Sequence, residues 1–291
     1  ESNSQCSQRS DSLSLALSIL CAELPLIHQT SVDFSSELTT DRAQIGDEIT
    51  VYDTSSLSAK SVHLEQNSEN FYLVCQGRVR LLAVDPGSQE EASVFVLKPG
   101  DVFGADRHFD EMALPYRAIA ASDAVIARAS YSRLQPLFDR YPALQERCQQ
   151  RIQQQQQRIF FKSLADCRSD NPDRWLSQVA VRSTRILAGT PIRGRDEPAH
   201  YWLRQGEIQG HAPPSPGQSW CDPVPADWMA RSDVWLYQIE ARSWQTATQT
   251  AETEALQPPS AAVSPARTAP PAPRTAPSNT LASRDSASNS L

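Results

Sequence analysis

The sequence predicts a mainly β protein with connecting α-helices, in which one rolled sheet is followed by a shorter, degenerate copy of it. Three observations support this fold class. Short β-type segments with glycine turns fill residues 43–128, a helical pattern covers residues 132–164, and a second β-rich stretch spans residues 183–247. Several short strands at such spacing are typical of a sandwich, jelly roll or barrel.

The predicted organisation has five parts. Residues 1–10 are polar and expected to be loose, and residues 11–165 form the first roll with its flanking helices. Residues 166–182 form a helical connector, and residues 183–250 form the degenerate second roll. Residues 251–291 are rich in Pro, Ala and Ser, and since they cannot bury a core we expect a disordered linker.

The first predicted element lies between residues 11 and 24, where the pattern fits either a helix or a strand. Strict alternation over residues 12–19 would suit a strand. Asp11 is a good N-cap and favours a helix instead. The leucines that would share one face of this helix are Leu13, Leu17, Leu20 and Leu24.

The strands of the first roll follow. Residues 44–49 enter a glycine turn, and residues 71–85 contain two strands around Gly77. In the second of these, apolar and charged residues alternate in the way expected of a sheet with one solvated face. Residues 94–97 return, and residues 119–128 complete the set.

Two helices are predicted after the first roll. Ser132 can cap the first, and the second begins near Pro142 and ends near Leu164. An apolar stripe runs along the second helix, and two interpretations of it stay open. It is either the seam of a homodimer through residues 142–164 or the face that packs against its own roll. The stripe consists of Leu144, Cys148, Ile152, Ile159 and Phe160.

The second β-rich stretch repeats the segment order of the first. The offset between matching positions falls from 143 (Ile192 minus Ile49) to 110 (Asp233 minus Asp123), so order is kept while loops shorten. This favours a duplicated and trimmed roll over chance similarity between β-rich segments. The matching ranges are 187–192 with 44–49, 200–208 with 71–79, 216–220 with 99–103, and 230–235 with 121–125.

The candidate functional residues lie between two late strands of the first roll. A glycine opens a short helix there, and a single arginine follows after a loop. Backbone N–H groups at a helix start and a guanidinium can together hold a small anion. The candidate ligand-binding residues are Phe103, Gly104, Ala105, Asp106, Arg117 and Ala118.

Interpretations without a ligand stay open for these residues. Gly104 can serve simply as the residue that lets the chain turn tightly. Arg117 can form a salt bridge with Asp106, Asp110 or Glu111. The matching part of the second copy lacks a Phe-Gly start, so we expect that copy to be purely structural.

This combination of strands, glycine-led helix and later Arg117-Ala118 resembles the cyclic nucleotide-binding domain, whose cassette carries a Phe-Gly-Glu start and a later Arg-Ala. The resemblance implies a double-stranded β-roll in which Gly104 offers an N–H and Arg117 pairs with the cyclic phosphate. Ala105 replaces the glutamate that would accept the ribose 2′-hydroxyl. Losing such a charge-assisted bond costs about 1.5–3 kcal/mol. Asp106 is rotated by about 100° and should face elsewhere. Binding of cyclic AMP or cyclic GMP is therefore expected to be impaired or lost.

Residues 103–106 and 114–122 further resemble the N-terminal regulatory region of cyanobacterial peptide-exporting ABC transporters. That resemblance implies a non-catalytic sensing module in the cytoplasm, a small anionic ligand, and a downstream transporter or protein partner. Two alternatives stay open. One is a transcription regulator of the catabolite-activator type, which would need a helix-turn-helix after the helical connector. The other is a plain oligomerisation scaffold.

Composition argues against several function classes. The net charge is −7 with a pI near 5.3, and acidic residues outnumber basic ones 34 to 27, so no nucleic-acid partner is expected. No apolar run approaches the roughly 20 residues that cross a bilayer. The six cysteines and five histidines show no metal-ligand spacing, and no nucleophile or phosphate-loop motif is present. No metal ligands and no catalytic residues are predicted.

Overall fold

A computed structural model describes residues 2–22, 24, 27–52, 69–84, 90–164, 167, 172–194 and 196–255. Within them the predicted fold class is confirmed, since two antiparallel β-rolls are joined and flanked by helices. The part of the predicted disordered linker beyond residue 255 lies outside the described residues. Its first residues, 251–255, belong to a helix rather than to a linker, and the predicted division of the chain into five parts stays a prediction.

The first roll consists of two four-stranded antiparallel sheets with strand orders β1-β8-β3-β6 and β2-β7-β4-β5. Apolar side chains from both sheets form the core between them, including Tyr72, Leu81 and Ile126. The strands are β1 (Thr39–Ala43), β2 (Glu48–Tyr52), β3 (Asn70–Gln76), β4 (Val79–Val84), β5 (Glu91–Leu97), β6 (Val102–Gly104), β7 (Tyr116–Ala120) and β8 (Ala124–Ser130).

Helices cover the first roll and connect it to the second. They are α1 (Ser2–Leu20), α2 (Ile27–Glu37), α3 (Asp106–Phe109), α4 (Tyr131–Arg140), α5 (Pro142–Ser163), α6 (Pro172–Leu176) and α7 (Ala241–Ala255). Helix α1 was predicted to begin at Asp11 after a loose segment, and it begins at Ser2 instead. Residues 2–10 contain no Gly or Pro, so nothing in their backbone stops the helix from extending.

Helix α5 begins at the predicted proline and buries its apolar stripe within its own chain. Leu144, Cys148 and Ile152 pack under the sheet that contains β3, and Ile159 reaches the core of the first roll. Phe160 packs against the second roll. Of the two open interpretations, packing against its own chain is therefore the one observed, and the stripe is not an exposed dimer seam.

The second roll repeats the topology of the first in reduced form. Its larger sheet has the order β9-β14-β10-β12, which corresponds strand for strand to β1-β8-β3-β6, while its other sheet retains only β11 and β13. The strands are β9 (Arg182–Ile186), β10 (Ala199–Gln205), β11 (Ile208–Gln209), β12 (Ser219–Cys221), β13 (Met229–Ala230) and β14 (Val234–Glu240).

Turn hydrogen bonds repeat as well. The N–H of Arg78 donates to the hydroxyl of Ser122 at 3.0 Å, and the N–H of Glu207 donates to the hydroxyl of Ser232 at the same distance. The two pairs occupy matching places after β3 and β10. Shared strand order and shared turn chemistry favour duplication over chance similarity.

The two rolls meet at the C-terminal end of α5. The aromatic cluster that joins them is buried and edge-packed, with ring centroids about 5 Å apart at the centre, where Phe161 contacts Trp202 at 5.1 Å and Trp175 at 4.8 Å. Such edge-to-face pairs stabilise packing beyond their buried area. The cluster also includes Phe160, Tyr237, Ile239 and Trp244.

Candidate ligand cassette

The cassette runs from the end of β6 through α3 to the start of β7. Its backbone is tightly constrained at Gly104, which has a φ of 77°, and a Cβ atom added there would lie 2.3 Å from the carbonyl oxygen of Asn70. Only glycine fits this position. Ala105 follows in the left-handed region with a φ of 53° and is completely buried. The chain thus enters α3 through two left-handed residues.

The N–H of Gly104 already has a partner inside the protein. It donates to the hydroxyl oxygen of Tyr116 at 2.9 Å, and that hydroxyl donates to Oδ2 of Asp106 at 2.6 Å. All three groups are buried. The amide that the sequence suggested for an incoming anion is therefore hydrogen-bonded to a side chain of the same cassette.

Asp106 turns its carboxylate into the core. Its Oδ1 accepts a hydrogen bond from Nε2 of Gln156 on α5 at 3.1 Å, and Oε1 of the same glutamine accepts the N–H of Leu114 at 2.6 Å. Burial raises the pKa of Asp106 to about 6, and the hydrogen bonds from Tyr116 and Gln156 offset part of that rise. Helix α5 thereby holds both ends of the cassette loop.

Arg117 lies on the opposite face of β7 from the buried Tyr116, because successive side chains of a strand alternate. Its Nε is 3.0 Å from Oε2 of Glu48, and its Nη1 is 3.0 Å from Oε1 of Glu91. Glu48 lies on β2, which pairs with β7, and Glu91 lies on β5, which is separated from β7 by β4. The predicted salt-bridge partners Asp106, Asp110 and Glu111 were therefore wrong, since strand pairing brings distant acids closer than the neighbouring loop does.

The remaining candidate residues are core residues. Phe103 stacks on Tyr72 with ring centroids 4.9 Å apart, and Ala118 is completely buried on the inner face of β7. Five of the six candidates thus lie in the interior, and the sixth is ion-paired outside it. The six residues lie at the end of β6, at the start of α3 and at the start of β7. The guanidinium of Arg117 and the amide of Gly104 nevertheless lie on different faces of β7. Their role in ligand binding stays a prediction.

One contact to the cassette had no counterpart in the sequence-based hypothesis. Nη2 of Arg204 on β10 donates to Oδ2 of Asp110 at 2.8 Å and to the carbonyl oxygen of Met112 at 2.6 Å. Its guanidinium also lies 5.1 Å from the ring centre of Tyr237. The sequence does contain a signal for this contact. Arg204 directly follows the apolar residues 201–203 of one strand, and a charge in such a place needs a buried partner.

Among the described residues, no three or more His, Cys, Asp or Glu side chains are grouped so that they could hold a metal ion. In the same part of the chain, none of the helices combines the length and apolar character that crossing a membrane requires.

A β-roll that carries a Phe-Gly-led short helix and a following Arg-Ala strand has the architecture of a cyclic nucleotide-binding domain. Residues 55–141 match the family described as the cyclic nucleotide-binding domain, which confirms the resemblance for the first roll. No curated protein matches the chain. The resemblance to a transporter regulatory region stays a prediction.

Several solved structures are similar to this chain at low sequence identity. The regulatory domain of Toxoplasma gondii PKA in complex with cAMP is 15% identical, with 86% of this chain and 95% of that chain covered and a TM-score of 0.37. The Thermus thermophilus catabolite activator protein is 19% identical, with 54% and 66% covered and a TM-score of 0.38. A cyclic nucleotide-binding domain from Methylobacillus flagellatus is 14% identical, with 56% and 85% covered and a TM-score of 0.39.

Proposed function

We propose that the chain is a non-catalytic regulatory module of the cyclic nucleotide-binding type whose cassette is closed by its own side chains. In this proposal it does not bind cyclic AMP or cyclic GMP with useful affinity. The observation that carries the proposal is the hydrogen bond from the Gly104 N–H to the Tyr116 hydroxyl, because it takes the donor that a cyclic phosphate would need.

Electrostatics around Arg117 support the same conclusion. A cyclic phosphate approaching this guanidinium would also approach the carboxylates of Glu48 and Glu91, which repel it. Each of these half-exposed ion pairs contributes only about 0–1 kcal/mol. The larger obstacle is that the guanidinium lies on the face of β7 away from the Gly104 amide. The ribose acceptor is also missing at Ala105.

The regulatory output in this proposal runs through packing. Gln156 bonds the cassette to α5, and Arg204 bonds it to the second roll. A displacement of the cassette would therefore shift α5 and the second roll, and a displacement of either of these would shift the cassette. The recipient would be a protein partner or a larger assembly. The resemblance of residues 103–106 and 114–122 supports a peptide-exporting transporter as that assembly, with this module on its cytoplasmic side.

The two alternatives are less well supported. A regulator of the catabolite-activator type needs a helix-turn-helix, whereas the described residues between 182 and 240 contain strands β9 to β14 and no helix. A plain oligomerisation scaffold would use the stripe of α5, which is buried against the same chain. Sedimentation velocity of the purified chain tests the second alternative, since a scaffold requires a stable oligomer.

Isothermal titration with cyclic AMP and cyclic GMP tests the proposed function. We expect no saturable heat at millimolar nucleotide from the full chain, and none from Arg117→Ala. Arg133→Ala, which removes an exposed ion pair with Glu37 on α2, is the matched control for handling and folding. Micromolar binding by the unmodified chain would contradict the proposal. Its loss in Arg117→Ala alone would restore the cassette as a nucleotide site.

A further inference from the structure

The second roll carries a cysteine and a histidine in direct contact on one face of its larger sheet. Cys221 lies on β12 and His200 on β10, and the two are cross-strand partners in the antiparallel register. Residues opposite each other in such a pair present their side chains on the same face of the sheet. Sγ of Cys221 lies 3.1 Å from Nδ1 of His200. A basic nitrogen is therefore placed directly beside the thiol.

The imidazole of His200 is held in place by two indole rings. It stacks on Trp202, which lies two residues further along the same face of β10, with ring centroids 4.2 Å apart. The ring of Trp244 on α7 lies 5.3 Å from it. Burial lowers the pKa of His200 from its ordinary value of 6.5. At neutral pH the imidazole is therefore uncharged and able to accept a proton.

Cys221 is the accessible thiol among the described cysteines. It is exposed, whereas the other four are buried. Strand β12 is also at the edge of its sheet, so within the described residues no further strand pairs with its outer side. A small reagent can therefore reach Sγ from solvent without displacing a strand. The four buried cysteines are Cys21, Cys75, Cys148 and Cys167.

The surroundings of the thiol determine what kind of reagent it can meet. Partial desolvation and the adjacent carboxylate of Asp222 raise the pKa of Cys221 from its ordinary value of 9.0. Because the thiolate is the nucleophile, reaction at neutral pH needs a base that takes the proton, and His200 is placed to do so. The carboxylate of Asp222 is fixed by the N–H of Ala199 at 2.8 Å and repels anionic reagents. The site therefore favours a small neutral electrophile.

We propose that Cys221 is a modification site at which a small neutral hydroperoxide, hydrogen peroxide or a close analogue, oxidises the thiol to a sulfenic acid with His200 as the base. The thiol proton moves to Nδ1 of His200, and Sγ attacks one peroxide oxygen, so an S–O bond forms while the O–O bond breaks. The leaving oxygen takes the proton from the imidazolium and departs as water. Sulfur loses two electrons to the peroxide. The site shares no residue with the cassette, so this proposal does not rest on the proposed function.

Oxidation of the full chain by hydrogen peroxide tests this site. Dimedone traps the sulfenic acid, and mass spectrometry of tryptic peptides measures each cysteine separately. We expect trapping at Cys221 to be at least about tenfold faster than at any of the four buried cysteines. His200→Phe keeps a ring beside Trp202 but removes the base, so it should slow trapping by about tenfold or more. His211→Phe, at an exposed histidine of the same roll, should leave the rate unchanged.

Two results would overturn the proposal. Trapping at Cys221 that is no faster than at the buried cysteines would show that its thiol is not a reactive site. An unchanged rate in His200→Phe, with circular dichroism showing a folded variant, would show that the imidazole does not act as the base. Should that variant fail to fold, His200→Gln decides the same question, because glutamine keeps a polar group beside the thiol without the basicity of imidazole.

Discussion

Arg204 of the second roll donates a hydrogen bond to Asp110 of the first roll's cassette, with Nη2 and Oδ2 2.8 Å apart and the arginine side chain 1% exposed. The same Nη2 donates to the carbonyl oxygen of Met112. A charge this deeply buried is tolerated only when it is paired and hydrogen-bonded. The second roll is thus attached to the cassette loop through a specific polar contact as well as through the shared aromatic cluster.

Removing the arginine should weaken the contact between the rolls strongly. We expect Arg204→Met to lower the free energy of unfolding by about 3 kcal/mol, because the carboxylate of Asp110, which is 16% exposed, then keeps only the N–H of Met112 as a donor. Urea denaturation followed by tryptophan fluorescence measures the loss, since Trp202 and Trp244 lie in the cluster between the rolls.

Arg231→Met is the matched control. Its ion pair with Glu207 is exposed, so its loss should cost no more than about 1 kcal/mol. Adding Asp110→Leu to Arg204→Met should recover part of the lost stability, because both charges are then removed together. A cost of Arg204→Met as small as that of the control would contradict the buried role of this pair.

Tyr116→Phe should destabilise the closed cassette. The change leaves the Gly104 N–H and Oδ2 of Asp106 without their shared partner in a buried place. We expect the free energy of unfolding to fall by about 1–3 kcal/mol. Chemical denaturation at neutral pH measures it. An unchanged free energy of unfolding would mean that the Tyr116 hydroxyl is not bonded to these groups in solution.

Asp106 should make stability depend on pH in an unusual direction. Burial raises its pKa from an ordinary 3.8 to about 6, so the folded protein binds this proton more tightly than the unfolded chain does. Its stabilising contribution is full below about pH 4 and is lost as the pH rises through about 6, with a total on the order of 3 kcal/mol.

The difference in free energy of unfolding between the unmodified chain and Asp106→Asn isolates this effect. We expect this difference to change steadily between about pH 4 and pH 7, with the unmodified chain losing stability relative to the variant. Asp139→Asn, at an exposed residue of α4, is the control for removing a carboxylate from the surface. A pH-independent difference for Asp106→Asn would show that its carboxyl titrates normally.

Restoring the missing acid should not restore nucleotide binding. Ala105 is completely buried and left-handed, so Ala105→Glu forces a long charged side chain into a packed position. We expect no gain in affinity for cyclic AMP and a loss of about 1–3 kcal/mol in the free energy of unfolding. Calorimetry and denaturation of the same sample measure both. Micromolar binding by this variant would mean that the cassette opens readily.

The strands, the helix at Pro142 and the internal repeat could be predicted from the sequence because periodicity and turn residues are local signals. The partners of Arg117 could not. Glu48 and Glu91 lie 69 and 26 positions away along the chain, and only the pairing of β7 with its neighbours brings Glu48 close. The predicted partners, Asp106, Asp110 and Glu111, are close to Arg117 in sequence, and sequence distance alone does not show which acids are close in space.

The position of Tyr116 illustrates the same limit on a smaller scale. A strand sends alternate side chains to opposite faces, so a register difference of one residue decides whether Tyr116 or Arg117 points inward. The Arg-Ala motif predicts that Arg117 contacts the ligand, whereas the residue whose side chain points into the roll is Tyr116. The length of α1 was missed for a different reason, since polar residues without Gly or Pro are compatible with a helix as well as with a loop.

Hydrogen exchange at the Gly104 amide, followed by NMR, tests the closed cassette most directly. We predict slow exchange in the ligand-free chain, faster exchange by about tenfold or more in Tyr116→Phe, and no change on addition of millimolar cyclic AMP. Rapid exchange in the ligand-free chain that becomes slow when cyclic AMP is added would contradict the account. It would show that the Gly104 amide is free in the absence of ligand and hydrogen-bonded in the complex.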